Sequence, residues 1–388
     1  MKKFRFLTSG ESHGKCLNAI IEGVPAGFRI KEDVINADLA RRQIGYGRGG
    51  RMQIEKDVVE IKSGVRFGKT TGAPICLEIK NKDFSNWEDV MSTRSYDYPT
   101  EDMVAKIEAK TFTKARPGHA DYAGSVKYNL NDLRDVLERS SARKTAIEVA
   151  VGSVAKQILK EFGIMGFSHV IQIGNVKLDF YPKTYTLIKE KAEKSDVFCA
   201  DDLTADRMRN AIDQAAEEGD TLGGKFEVIF GNLPIGLGSY VHWDQCLDGR
   251  LAQAIMSIPA VKAVEVGAGT DAAHLKGSQM HDEIFVNKSK TVYRQTNNAG
   301  GREGGMTNGE TLIVKGTMKP IPTMKKSLAT VDLKDMKPAN AHFERSDVCA
   351  VPACSVVAEA RVAIILVDEL LAKLGGDSLV EMKAHYGD

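Results

Sequence analysis

The chain has 388 residues, with 53 Lys and Arg against 52 Asp and Glu, a formal net charge of +1, and 43% hydrophobic residues. That hydrophobic content suffices for a sizeable core and excludes disorder, while a balance so near neutrality argues against a dedicated nucleic-acid protein. The longest apolar runs, such as 362–367, fall far short of the roughly 20 residues that a bilayer requires.

In chain order, short β-branched or alternating runs at 4–7, 16–21, 58–62, 75–79, 170–173, 226–230, 261–266 and 312–314 predict strands, bounded by Gly, Pro or Asn. Turn-length gaps between several of them favour antiparallel pairing. A helix is predicted to start near Lys31 and to carry Arg41 and Arg42 in its last turn. A second covers 141–162, with Ile147, Val151, Val154, Ile158 and Phe162 on one stripe and Gly163 as its stop. A third, 205–218, is expected to be capped by Thr204. The stripe over 356–374 is so broad that this helix must be covered on more than one side. No linker, low-complexity stretch or repeat is visible. The expected fold class is α+β: one large domain over 1–388, a layered β-α-β sandwich with buried helices between antiparallel sheets.

Six cysteines are too sparse for a disulfide scaffold and form no CxxC pair. The N-terminus, Met1-Lys2-Lys3-Phe4-Arg5-Phe6-Leu7-Thr8, lacks the apolar stretch of a signal peptide. A reduced, cytoplasmic protein is the expectation. Walker A, strand-linked GxGxxG and HExxH patterns are absent, and the eight histidines do not fall at metal-ligand spacing, so no metal is expected.

Several clusters have the composition of a binding site. Gly10-Glu11-Ser12-His13-Gly14 presents His13 at a strand end, where an imidazole can exchange a proton near neutrality; a turn histidine capping local backbone is the alternative. The GxSxG spelling does not make Ser12 a nucleophile, since strand rather than helix follows. Arg41-Arg42-Gln43-Ile44-Gly45-Tyr46-Gly47-Arg48-Gly49-Gly50-Arg51 sets guanidiniums among glycines, suited to phosphate or carboxylate, with helix-end solvation or an RNA-binding box as competitors. Arg116-Pro117-Gly118-His119-Ala120-Asp121 places His119 near a helix N-terminus, which favours a neutral imidazole unless an anion is bound. Arg139-Ser140-Ser141-Ala142-Arg143 is expected to open the long helix as an anion site or as an ordinary serine cap. Asn297 to Met306 offers glycine pairs for close approach to a flat ligand. Lys319-Pro320-Ile321-Pro322-Thr323 is a stiff extended run. Arg345 to Ala353 sets Asp347 before the buried C-terminal helix.

Taken together and in this order, these clusters resemble the chorismate synthase family over about residues 1–375. The resemblance implies conversion of 5-enolpyruvylshikimate 3-phosphate to chorismate by 1,4-elimination of phosphate and a ring proton, with reduced FMN and no net redox change. It implies that His13 protonates the departing phosphate, that His119 donates to the N1 side of the reduced flavin, and that Asp347 relays a proton from flavin N5. FMN contacts carried over by motif are Arg139, Ser140, Ser141, Gly304, Lys319, Pro320, Ile321, Pro322, Thr323 and Arg345. The pair Pro259-Ala260 is included at a position where the family usually has Asn-Ala, so only backbone packing is expected there. Arg42, Arg48 and Arg51 are assigned to substrate or to the phosphate of NADPH, a possible flavin reductant. A cytoplasmic homotetramer is implied, with neither nucleic acid nor membrane as partner. A flavin reductase is the competing enzyme class, and an RNA binder the non-enzymatic one.

Overall fold

The computed structural model describes residues 3–49, 56–344 and 346–387. Its first layer is antiparallel and is built from β1 (Arg5–Ser9), β2 (Cys16–Glu22), β3 (Val59–Ile61) and β4 (Ile75–Lys80), in spatial order β1-β2-β4-β3. Between β2 and β3 runs α1 (Glu32–Gln43). Beyond β4 the chain makes α2 (Glu101–Lys110), α3 (Asp121–Tyr128), α4 (Leu133–Ser140) and α5 (Thr145–Lys160). A second antiparallel sheet follows, from β5 (Met165–Ile173), β6 (Val176–Lys177), β7 (Gly224–Gly231), β8 (Val261–Val266) and β9 (Leu312–Met318), in order β8-β9-β7-β5-β6. Within it lie α6 (Asp202–Glu217) and α7 (Leu247–Met256), and α8 (Val351–Leu374) closes the core.

The two sheets enclose a helical middle. On the first sheet α5 packs against β2 and β4, whereas α8 packs against β5 and β7 of the second, and α5 and α8 pack on each other. That explains the broad stripes: Ile147, Val151, Val154 and Ile158 of α5 are fully buried, as are Val362, Leu366, Val367 and Leu370 of α8. The two helices come together at Gly152, where a Cβ would stand 2.3 Å from that of Ala360. One contiguous core extends from Phe4 to Met382, and the expected layering of helices between antiparallel sheets is what the chain forms.

The differences lie at helix ends. Asp201, not Thr204, caps α6: its carboxylate accepts from the Thr204 amide at 2.9 Å and hydroxyl at 2.7 Å, so Thr204 sits inside the first turn. A carboxylate outcompetes a hydroxyl for these donors. The expected helix over 141–162 is broken at its start, because Ser141 terminates α4 with extended ψ before a single 3₁₀ turn (Ala142–Lys144) leads into α5. Periodicity alone misses such a junction, since the apolar stripe of α5 continues in phase. α8 begins at Val351, five residues earlier than expected, with Pro352 in its first turn, where a missing N–H costs nothing.

Candidate active site

At the point where α8 begins, the turn after β1, the loop after α1, the α4–α5 junction and the segment after β9 surround a cavity of about 480 Å³. Leu137, Ile258, Pro259, Met318, Ile321 and Val357 give it apolar wall; Arg42, Arg48, Arg116, Arg143 and Lys319 give it cationic groups. The volume lies within the range of small-molecule sites, and apolar lining with a few convergent charges is their usual makeup.

His13 reaches this cavity from the turn after β1. Its Nδ1 lies 2.8 Å from Glu138 Oε1, and its backbone N–H donates to Glu138 Oε2 at 2.8 Å. A carboxylate only accepts, so Nδ1 carries the proton, and any proton exchanged with the cavity passes through Nε2. Behind the ring stands Trp87, stacked at 3.9 Å between centroids and 23° between planes. Glu138 in turn accepts from Arg134, one turn earlier on α4, at 3.5 Å.

His119 sits in different surroundings. It lies at the start of α3, its Nδ1 3.3 Å from the Pro117 carbonyl and its Nε2 3.1 Å from Thr323 Oγ1. A carbonyl only accepts, so Nδ1–H donates to it, and the Thr323 hydroxyl donates to Nε2. Burial, reinforced by the Arg116 guanidinium and opposed by Asp121, pushes His119 down to about 4. The imidazole is therefore neutral at neutral pH. Gly118 makes the turn possible: its φ is +77°, and a Cβ there would meet Pro322 at 2.7 Å.

The guanidiniums are positioned from behind. Arg42 is buried, donating through Nε to Thr145 Oγ1 at 3.0 Å and through Nη2 to the Ala142 carbonyl at 3.0 Å. Its Nη1 has no hydrogen-bond partner among the described residues, and Asp57 is 3.8 Å away. Burial pushes Arg42 down to about 10, with Asp57 opposing and Arg143 and Arg48 adding to the fall. Arg48 pairs with Asp347 at 2.9 Å, and the Gly49 amide donates to the other Asp347 oxygen at 2.6 Å. Arg143 is held by Asp57 at 2.7 Å and Asn81 at 2.8 Å. Arg116 grips Asp121 through two parallel bonds of 2.8 and 2.9 Å.

Of the residues singled out by sequence, the cavity brings together His13, His119, Asp347, Arg42, Arg48, Ser140, Ser141, Pro259, Ala260, Lys319, Ile321, Pro322 and Thr323. Three do not line it. Arg139 turns outward and donates to the Thr8 and Gly10 carbonyls, pinning the end of β1, because it lies on the face of α4 opposite the buried Leu137. Gly304 lies in an exposed hairpin between Arg302–Glu303 and Met306–Thr307. Pro320 is missing from the wall although Lys319, Ile321, Pro322 and Thr323 on either side of it are there. Arg51 and Arg345 lie outside the described residues. Arg41 neither solvates a helix end nor reaches the cavity: it pairs with Glu359 of α8 at 2.9 Å within the core. Ala260 adopts φ +70°, and its carbonyl accepts from the Lys319 amide at 2.9 Å. Ser12, set aside as a nucleophile, lines the cavity and is 3.2 Å from Ser141 Oγ. Trp87 and Glu138 went unassigned; of the two, Glu138, adjacent to the quoted Arg139 cluster, offered a signal.

These features define an enzyme whose pocket is built to receive a polyanion beside an apolar surface. The chorismate synthase family profile matches residues 4–371. Chorismate synthase of Geotalea uraniireducens is 51% identical over 99% of this chain and 97% of its own, that of Alkaliphilus metalliredigens 53% over 98% and 97%, and that of Aquifex aeolicus 49% over 100% and 98%. A crystal structure of chorismate synthase superposes with a TM-score of 0.79 at 42% identity, covering 100% of this chain and 97% of that one. The chain belongs to the chorismate synthase family: it is a carbon–oxygen lyase acting on phosphates and serves the shikimate pathway of aromatic amino-acid biosynthesis. Membership implies a flavin-dependent enzyme. The residues fit such a group, since Arg42 Nη1, with no hydrogen bond among the described residues and only a 3.8 Å ion pair to Asp57, can take an anion, and Ile258, Pro259, Met318 and Ile321 offer apolar surface beside it.

Proposed function

We propose that the cavity performs the 1,4-elimination of phosphate from 5-enolpyruvylshikimate 3-phosphate, with FMN as the flavin. The observation that supports this reading is the convergence of His13, His119, Asp347, Arg42 and Arg48, from widely separated segments, on one cavity. The reaction breaks a C–O bond to phosphate and a ring C–H bond and forms one C=C bond, so it is redox-neutral overall. Bound reduced FMN would supply electron density for the loss of phosphate.

In this reading the residues divide the work by charge. Arg42 and Arg48 bind phosphate and carboxylate groups of the substrate, and the buried Arg42 Nη1 gains a hydrogen-bond acceptor that the described residues do not give it. His13 holds a proton at Nε2 for the departing phosphate oxygen, its other nitrogen being engaged by Glu138. Asp347, kept in place by Arg48 and the Gly49 amide, is the carboxylate positioned to accept a proton. Ser140, Ser141, Pro259, Ala260, Lys319 and Ile321 to Thr323 would hold the flavin, and Arg51 and Arg345 stay assigned by family resemblance. His119, neutral beside Arg116, becomes a cationic donor once an anion enters the cavity, because the anion offsets that guanidinium. NADPH is the proposed flavin reductant, and the working form a cytoplasmic homotetramer, testable by light scattering.

The deciding experiment is anaerobic. Protein supplied with substrate and chemically reduced FMN should release phosphate; folded protein that releases none sinks the reading. Repeating the assay with NADPH and oxidised FMN tests self-reduction, and NADPH consumption without substrate would favour a reductase.

A further inference from the structure

The His13 corner contains a buried acid that does not line the cavity. Glu138, 3% exposed, sits on α4 and accepts from the His13 ring at 2.8 Å, from the His13 backbone at 2.8 Å and from Arg134 at 3.5 Å. We propose that Glu138 is a positioning residue for His13, fixing the ring's orientation and holding the proton on Nδ1 so that Nε2 alone faces the cavity. This rests on the assignment of His13 as the proton donor.

Three observations carry it. The two contacts to one residue, backbone and ring, lock both the turn and the side chain, which a single surface ion pair does not do. Trp87 restricts the remaining freedom, since a ring stacked at 3.9 Å cannot tilt without losing that contact. Arg134 is over the Trp87 ring at 5.3 Å and bonds Glu344 at 2.8 Å, so it orients Glu138 while its charge is shared. The other charges around the imidazole are Lys110, 4.4 Å from the centre of the Trp87 ring, and, across the cavity, Arg42, Arg48 and Asp347. Glu138 is thus the carboxylate in direct contact with the ring, and removing its charge disfavours the imidazolium.

Trp87 also provides the readout. The chain has two tryptophans, and Trp243 is 80% exposed on a surface turn. In a Trp243→Phe background the emission comes from Trp87, which a stacked imidazolium quenches. The test compares this parent with Glu138→Gln and Glu138→Asp in the same background. The glutamine variant should lose about 10- to 100-fold in kcat, with KM for 5-enolpyruvylshikimate 3-phosphate unchanged, because Glu138 does not touch the ligand space. The fall of kcat on the alkaline side and the pH midpoint of Trp87 quenching should both move down, because the carboxylate charge that favours the imidazolium is gone. The aspartate variant keeps the charge but is a methylene short, and should fall between the two; it carries the test if the glutamine variant does not fold. An unmoved midpoint with a normal KM would reduce Glu138 to a structural role. A loss that appears in KM would overturn the proposal as well. Should His13→Ala retain full turnover, the donor assignment fails by itself, while the fluorescence titration, which needs no substrate, still reads the coupling between Glu138 and His13.

Discussion

Two histidines face one cavity, yet their surroundings differ in kind. His13 leans on a carboxylate, with an indole behind it. His119 is framed by a carbonyl and a hydroxyl, with the Arg116 guanidinium as the charge that acts on it most, and is neutral. The contrast shows that the residue type alone does not set a role in proton transfer. What sets it is whether the second ring nitrogen meets an anion or a dipole. A pocket that must donate a proton at one end and accept a polyanion throughout gains from giving its two imidazoles different partners.

The strongest attempt to break this contrast is removal of each ring. His13→Ala should lower turnover by roughly 10²–10⁴-fold if its Nε2 proton goes to the leaving phosphate, and His119→Ala should do the same if it acts as a donor in the complex. Phosphate release at saturating substrate measures both. Equal activity of either variant with the parent would return that histidine to a turn-capping role. Trp87→Leu is expected to be milder, about tenfold in kcat, because Glu138 still holds the Nδ1–H while the backing plate is lost. A loss as large as that of His13→Ala would instead mean that the stack, not the carboxylate, orients the ring.

A third test sharpens the electrostatic half. Followed by NMR, His119 should titrate near 4 in the free protein and markedly higher once a polyanionic ligand is bound, since the ligand's charge opposes that of Arg116. If the resonance does not move on saturation, the ligand does not approach His119.

How much of this was legible beforehand depends on the physical source of each feature. Strands 75–79 and 226–230 and the stripes of α5 and α8 follow from side-chain periodicity, which is local, and they appear where expected. Both histidines were visible because glycines frame them. The caps were less so: Asp201 and Thr204 can both cap, and the choice falls to the carboxylate, which holds the Thr204 amide and hydroxyl together. The supporting shell was almost invisible. Trp87 and Glu138 are brought to His13 from 74 and 125 positions away, the latter separation being that of the recorded bond, and no spacing rule connects them. Arg139 misled for the same reason, since a motif records that an arginine is present but not which way its helix face turns. The Pro259-Ala260 pair offers no side-chain donor or acceptor, so the sequence can point there to backbone only.

The smallest expected effect concerns stability. A histidine whose ordinary value is 6.5 and whose folded value is about 4 binds its proton more readily in the unfolded chain. Above pH 6.5 both states are neutral and His119 leaves the balance untouched. As pH falls from 6.5 towards 4 the unfolded state takes up the proton first, so folding loses stability across that window and the loss levels off below 4. His119→Gln keeps a side-chain amide able to face Pro117 and Thr323 but cannot titrate. Its Tm should therefore decline less steeply than the parent's between pH 6.5 and 4, with the two curves parallel above 6.5. Parallel curves across the whole range would mean that His119 is protonated as easily in the folded chain as in the unfolded one, and the proposed difference between the two histidines would then have to come from the ligand alone.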